Sequence, residues 1–527
     1  MEKAKNKPEE QNLSNEKQQT EQVSEAKVKK VAKPKKEQVK KEKKVKTDNK
    51  AKRSVKNKSK KKKTSKNDDK LTKKSKIILG CIATGVILVC AGLGLLLGLT
   101  ANRSVFDYLL LEADANTGTY KIVNVSSKLT GSVEIPSSYN GKKITIIEDN
   151  AFYGSNIEKL KLPNTITRFG KRAFANSKKL KSISTPSELQ VIDDECFFNC
   201  EKLKSFTTSK KTTSIGSSAF RNCKSLTDIT IENGLQSMGR GAFGYCSSLK
   251  EISLPKSVTN IGGAIFTYCT NLEEIKVDSS NTYYKAINNC LVENSSNKVL
   301  SGCSTSVIPE GVEVIGESAF EGISGLRKAS LPVSVKSLET CAFYACTSLG
   351  TESNGTVDIS NVETMGRLVF SRCEGLTSMN ISGSVAEIGS NSFSYCTNLE
   401  AVNITAENLN SISVSLFYNC SNLENVIMGN NITEILQYSF GKCGKLVNVA
   451  LSNNLQIISS NAFDNCSSLR SIYIPSSVLV IGDYAFYNCS SSLVLKMQTT
   501  SVLSGFAEKY NYVNEETSLV VEWGVTQ

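Results

Sequence analysis

One residue type returns down this chain at a nearly fixed step of 23 residues. Phe152, Phe174, Phe197, Phe220, Phe243 and Phe266 form a first run, and Phe320, Phe343, Phe370, Phe393, Phe417, Phe440, Phe463 and Phe486 a second. A period between 20 and 50 residues marks a solenoid, in which each repeat buries its apolar face only by stacking on its neighbours. A solenoid presents one long surface rather than a deep pocket. Binding therefore leads the functional classes before any catalytic motif is sought.

The charge is distributed unevenly around this array. Residues 1–76 carry a net +18 and the remainder −4, which gives the +14 of the whole chain. That first segment has no aromatic residue and contains the run Lys60, Lys61, Lys62 and Lys63. It cannot bury enough apolar surface to offset its chain entropy, so it reads as a disordered cytoplasmic tail. Ile77 to Leu99 follows as 23 residues without a charge. At about 1.5 Å per residue they span a hydrocarbon core of roughly 30 Å. The segment is longer than the apolar stretch of a secretory signal and lies far inside the chain, so an uncleaved signal-anchor is the better reading. Lys70, Lys73, Lys74 and Lys76 adjoin the span on one side, whereas Arg103 alone follows closely on the other. Basic flanks stay cytoplasmic, which places the tail inside and the repeats outside the cell membrane. Residues 100–150 are then a juxtamembrane segment and N-terminal cap, 151–498 the repeats, and 499–527 a C-terminal cap and tail.

Alignment on phenylalanine gives the consensus Leu-x-x-Ile-x-Ile-Pro-x-Ser-Val-x-x-Ile-Gly-x-x-Ala-Phe-x-x-Cys. Leu249, Ile252, Leu254, Pro255, Ser257, Val258, Ile261, Gly262 and Phe266 show it well. The Leu-x-x-Ile-x-Ile part alternates with period two, as a half-buried strand does. Proline ends the strand, a second short apolar pair returns the chain to the core, and the glycine after it suggests a tight turn at positive φ. Eleven cysteines stand three residues after a repeat phenylalanine, among them Cys223, Cys246, Cys396, Cys443 and Cys466. With Phe220, Phe243, Phe393, Phe440 and Phe463 they are the expected structural ladder.

This pattern resembles the BspA-type leucine-rich repeat of bacterial and protist surface proteins. Ile135, Pro136, Ser137, Ser138, Tyr139, Asn140 and Gly141, leading to Ala151 and Phe152, are similar to that family's opening segment. Residues 499–513 are similar to its closing cap, and about 281–309 to its recurrent hairpin insertion. The resemblance implies a strand-lined horseshoe displayed at a cell surface, with adhesion or host-protein binding in some members. The expected fold is thus a mostly β repeat solenoid with short turns and helical pieces, preceded by a single transmembrane helix and a disordered basic tail.

Position-locked cysteines argue against a disulfide framework. Equivalent Cβ atoms on stacked coils lie about 4.8 Å apart, beyond the usual disulfide separation of about 3.8 Å. A thiol there acts as a small hydrophobe that can donate weakly to a turn carbonyl. Cys290 and Cys303 flank the insertion and are the pair best placed for a bridge. No cluster has zinc spacing.

The chain has no histidine, which removes the serine- and cysteine-histidine nucleophiles and the commonest general base. Asp193, Asp194 and Glu195, like Glu273 and Glu274, sit at variable repeat positions and read as solvated surface. No phosphate loop is present. Neither catalysis nor a cofactor is expected.

Binding should use the strand face. The outward residue of successive strands is Lys161, Ser184, Thr207, Thr230, Ser253, Lys276, Ser330, Asn380, Asn403, Ile427, Ala450 and Tyr473. Most are small and polar, but Ile427, Ala450 and Tyr473 form an apolar stripe. Two readings of it stay open: a ligand-contact patch for a protein or cell-surface ligand, or a surface covered by the C-terminal cap. Tyrosines just after the repeat phenylalanines line another edge. The lysine tail suits anionic inner-leaflet lipids and has no element for specific nucleic-acid readout. The expected role is adhesion or interaction; the alternative is a structural spacer or cell-envelope organiser without a discrete ligand.

Overall fold

The structure, a computed structural model, describes residues 104–498, 512–514, 517–518 and 520–525. All lie in the compact unit Gly85–Gln527. The expected tail, the span Ile77 to Leu99 and most of the C-terminal cap lie outside the described residues. Among the described residues no helix is long and apolar enough to cross a membrane. The fold is a β-solenoid, and among the described residues its one short helical turn is Val105–Tyr108.

The coils build two parallel ladders, one from short return strands and one from longer strands, the longer strand being absent from the coils between the meander and Ser378. The longer strands carry the period-two segment. Ser378–Ile381, Ala401–Ile404, Asn425–Met428 and Asn448–Ala450 pair in register, with Met379, Val402, Val426 and Val449 in one row. The short return strands make the second ladder, where Ile147, Phe169, Ile192, Ile215, Met238 and Ile261 form successive rungs. An antiparallel pair, Leu109–Ala113 with Tyr120–Val125, closes the N-terminal end of that ladder. Val494–Met497 and Val520–Trp523 extend the longer-strand ladder at the other end.

The third side of each coil folds around the phenylalanine. Residues two before and two after every repeat phenylalanine have positive φ, as at Arg172 and Asn176 around Phe174. This conformation turns their N–H groups toward the next coil: Arg172 donates to the Asp194 carbonyl, Phe174 to Cys196 and Asn176 to Phe198, at 2.7–2.9 Å. Asparagine and glycine occupy many of these positions because they enter the left-handed region most readily.

The glycine after the return strand is a correction to the sequence reading. Gly170, Gly216, Gly239, Gly262, Gly316, Gly366, Gly389 and Gly482 are not at positive φ. What they provide is clearance. A Cβ on Gly216 would lie 2.4 Å from the Asp194 nitrogen, and one on Gly239 2.3 Å from the Ser217 nitrogen. Adjacent coils touch backbone to backbone at these glycines.

Inside, the phenylalanine rings stack coil on coil. Phe174–Phe197, Phe197–Phe220 and Phe463–Phe486 have centroids 5.0–5.3 Å apart and planes within 15°. Phe220, Phe243, Phe393, Phe440 and Phe463 are fully buried, as are Cys223, Cys246, Cys396, Cys443 and Cys466. Every one of the eleven ladder cysteines donates its thiol to the phenylalanine carbonyl of the preceding coil, at 3.0–3.3 Å. Where Ser177 replaces cysteine, its hydroxyl makes the same bond to Phe152 at 2.8 Å.

The stack stops at Phe266 and resumes at Phe320. Between them lies an antiparallel meander, Tyr284–Ile287, Cys290–Glu293 and Lys298–Ser301, whose last strand joins the next return strand in parallel. Its middle strand divides the interior. Leu291 packs into the core that begins at Ile122, together with Tyr284 and Cys303. Cys290 and Val292 face the other way, into the core that runs on to Met497. The array thus holds two apolar cores separated by a sheet that serves both.

Candidate ligand-contact surface

The strand face is set by the pleat. Val426 and Met428 point inward, so Ile427 between them must point out. It is 55 % exposed. Ala450 lies beside it as its register partner and is also exposed. The longer-strand ladder stops after Asn448–Ala450 and restarts at Ser471–Ile474. Tyr473 begins this second segment. It is half-buried, and its hydroxyl accepts a bond from the Gln498 side-chain amide at 2.8 Å. The structure therefore brings Ile427 and Ala450 together in the open and ties Tyr473 to the end of the solenoid. Toward the N-terminus the same row holds Asn403 and Asn380, joined side chain to side chain at 3.3 Å.

Two further surfaces stand out: the return-strand face, which was not singled out from sequence, and the turn edge, whose tyrosines were. On the return-strand face, the residue before the buried core position is Ser214, Ser237 and Asn260 in three consecutive coils and apolar at Val191, Val314, Ile457 and Val480. Val480 and its neighbour Leu479 are half exposed. On the turn edge, cations sit over tyrosine rings of adjoining coils: Arg221 over Tyr245 at 4.5 Å, Arg372 over Tyr395 at 4.7 Å and Lys442 over Tyr418 at 5.2 Å. Tyr245 also stacks on Tyr268 at 4.3 Å, and burial raises the Tyr268 phenol well above its ordinary value. An offset of 23 or 24 residues between cation and tyrosine was the sequence sign of these pairs.

The thiols are chemically quiet. All fifteen cysteines among the described residues are free, Cys290 and Cys303 included. Burial pushes Cys269, Cys396 and Cys443 up to about 12, so the nucleophilic thiolate is scarce at neutral pH. The acidic trio is occupied by inter-coil contacts: Asp193 pairs with Arg168 at 2.6 Å, and Asp194 accepts from the Ser217 N–H at 2.7 Å. Among the described residues no group of three or more Cys, Asp or Glu side chains is placed to hold a metal ion.

Compared with known families, residues 126–213, 145–273, 192–304, 293–408 and 363–493 match the model of the BspA type leucine rich repeat region, together more than half of the chain. The chain belongs to this family. Among solved BspA-like folds, PcpA, a pneumococcal vaccine antigen, is 18% identical, with 79% of this chain and 96% of that one covered and a TM-score of 0.51. A leucine-rich repeat protein from Eubacterium ventriosum is 24% identical over 73% of this chain and 94% of its own, with a TM-score of 0.48. A leucine rich cell surface protein from Faecalibacterium prausnitzii is 24% identical over 67% and 95%, with a TM-score of 0.49. At these identities the likeness is one of fold. No curated protein matches the chain.

Proposed function

We propose that this BspA-type protein is a membrane-anchored surface module that binds a protein or cell-surface ligand through the strand face of its last coils, and that it is not an enzyme. The observation that carries the reading is the exposure of Ile427 beside Ala450, in a row that is mostly small and polar. Burying an apolar side chain of that size on a partner contributes on the order of 2 kcal/mol. Soluble proteins rarely leave such side chains grouped on a rigid face without a use. The signal-anchor orientation places this face outside the cell, and the Lys-rich tail would contact anionic lipids of the inner leaflet.

Binding of the full chain to host cells or extracellular-matrix proteins, with Ile427→Ser and Tyr473→Ser compared against the parent, tests the proposal. A loss of roughly tenfold or more with unchanged circular dichroism supports it. Unchanged binding favours the spacer or cell-envelope organiser. Protease shaving of intact cells tests topology: the repeats should be clipped while the tail stays protected.

A further inference from the structure

Apart from Asn281 and Ser306 at the meander, the apolar columns of the repeat break in one place. The second apolar residue of each longer strand is Leu162, Ile231, Leu254 or an equivalent Ile, Leu, Val or Met, except at Thr185 and Thr208. Outside the meander, the first apolar residue of the return segment is Ile166, Leu189, Leu235 or an equivalent, except at Thr212. All three departures fall in two consecutive coils. Local rules of a fold are broken most often where function requires it, and here the breaks are grouped.

The threonines reshape the corner between the two ladders. Thr208 and Thr212 are buried, so their hydroxyls must find partners. Thr208 accepts from the Glu232 N–H at 2.8 Å, Thr212 donates to the Leu189 carbonyl at 2.9 Å, and Thr185 donates to the Thr207 carbonyl at 2.5 Å. These bonds hold three successive corner loops where other coils use apolar packing. The longer-strand ladder is also interrupted here: Ser182–Ile183 pairs with Asn156–Lys161, and Ser205–Thr207 pairs with Asp228–Thr230.

Over this break lies a groove of about 590 Å³. It adjoins a second hollow of about 380 Å³, and Glu232 lines both. Volumes of roughly 300–1,000 Å³ suit small ligands. Pro186 and Phe206 lie buried beneath the groove, Phe206 packed on Phe197 and Phe220, and exposed Ser187, Ser205 and Thr207 supply hydroxyls. Glu188 and Glu232 are balanced by Lys210 and Lys211, with the Lys211 ammonium 2.5 Å from Glu188. The lining is neutral overall, rich in acceptors and hydroxyls, and elongated across several coils.

We propose that this groove binds a neutral oligosaccharide. Hydroxyls and carboxylates meet the vicinal hydroxyls of sugar rings. A neutral lining gives no advantage to phosphates or polycations. The site is separate from the Ile427 row, so either can fail without the other.

The test titrates the full chain with cellotetraose, maltotetraose and chitotetraose, followed by saturation-transfer NMR and calorimetry. At least one should bind with a Kd at or below about 1 mM, as an open polar site allows. Glu188→Gln with Glu232→Gln should weaken binding roughly tenfold. The consensus variant Thr185→Ile, Thr208→Ile, Thr212→Val should remain folded, raise the Tm and abolish binding. Ile427→Ser should leave it unchanged. The proposal is overturned if none of the three sugars binds, if binding survives both groove variants, or if a Gly-Ser peptide of equal length competes with the bound sugar.

Discussion

The coils before the meander and the last coils after it are built on the same kind of interior and wear different surfaces. On both sides phenylalanines stack and thiols reach back to the preceding coil. Outside, the first coils are bridged by ion pairs, such as Lys181–Glu158 at 2.6 Å and Lys178–Glu201 at 3.1 Å. Among the described residues no such pair involves a residue beyond Glu363. The last coils keep amide contacts, such as Asn448 to Asn425 at 2.8 Å, of the kind that Asn199 also makes to Asn176, and expose Ile427, Val447 and Leu479. Solvent-exposed ion pairs add little stability, so the difference is in what each surface can meet. A repeat fixes the inside of every coil and leaves the outside free to diverge.

Alkaline pH should break the contrast, because it acts on the shared interior. Burial raises Cys200, Cys223, Cys246 and Cys269 in the first core and Cys346, Cys373, Cys396, Cys420, Cys443 and Cys466 in the second. Below the ordinary thiol value of roughly 8.5 both states are protonated and nothing is lost. Above it the unfolded chain releases protons that the native chain keeps, so stability falls as pH rises, up to about 12 for Cys396 and Cys443. Each such thiol costs at most about 1.4 kcal/mol per pH unit. Several together should unfold both arrays within about two units above pH 9, a loss comparable to a whole domain's stability. Circular dichroism against pH checks this, and Cys396→Ser should lessen the slope. A flat profile to pH 11 would show that the thiols are not buried as described.

Phenylalanine deletions should sharpen the contrast. Phe243→Ala and Phe463→Ala each remove a fully buried ring and should cost about 3–5 kcal/mol. Because Leu291 and Val292 send their side chains into different cores, the loss should stay in the mutated array. Hydrogen exchange should show coils before the meander opening first in Phe243→Ala and coils after it in Phe463→Ala. Uniform loss of protection would mean one cooperative unit.

These expectations show where sequence was sufficient. A side chain that repeats every 23 residues announces both its burial and its neighbour, so the phenylalanine and cysteine ladders could be read directly. The glycines could not, because only the three-dimensional approach of Gly216 to the Asp194 backbone reveals a clash with Cβ. The half-burial of Tyr473 depends on Gln498, 25 residues away and outside the repeat pattern. Leu291 and Val292 are both apolar, and only the meander's orientation assigns each to its core.

Backbone conformation gives a smaller effect, in the favourable direction. Leu368 sits two residues before Phe370 with φ 59°, where Asn391 and Asn461 stand in other coils. A left-handed leucine carries roughly 1–2 kcal/mol of strain. Leu368→Gly should therefore raise the stability of the second array by about 1 kcal/mol, less what its partly buried side chain contributes. Thermal melting with exchange mapping would locate the gain; a destabilised second array would show that the leucine's packing outweighs its strain.

The smallest expected effect tests what joins the two arrays. Arg240, before the meander, makes a two-pronged contact with Glu317 beyond it, both bonds 2.8 Å long. The carboxylate beside it raises the arginine, and the guanidinium lowers the glutamate. Both side chains are about half exposed, so solvent screens the pair and Arg240→Gln should cost under about 1 kcal/mol. Its value is in the shape of the transition. The meander couples the arrays by packing and the ion pair by charge, so removing the charge should spread the two melting steps apart at low salt and change little at high salt, where the parent is already screened. Calorimetry at two ionic strengths reads both quantities. If the steps stay together in Arg240→Gln at low salt, the coupling resides in the sheet that the two cores share.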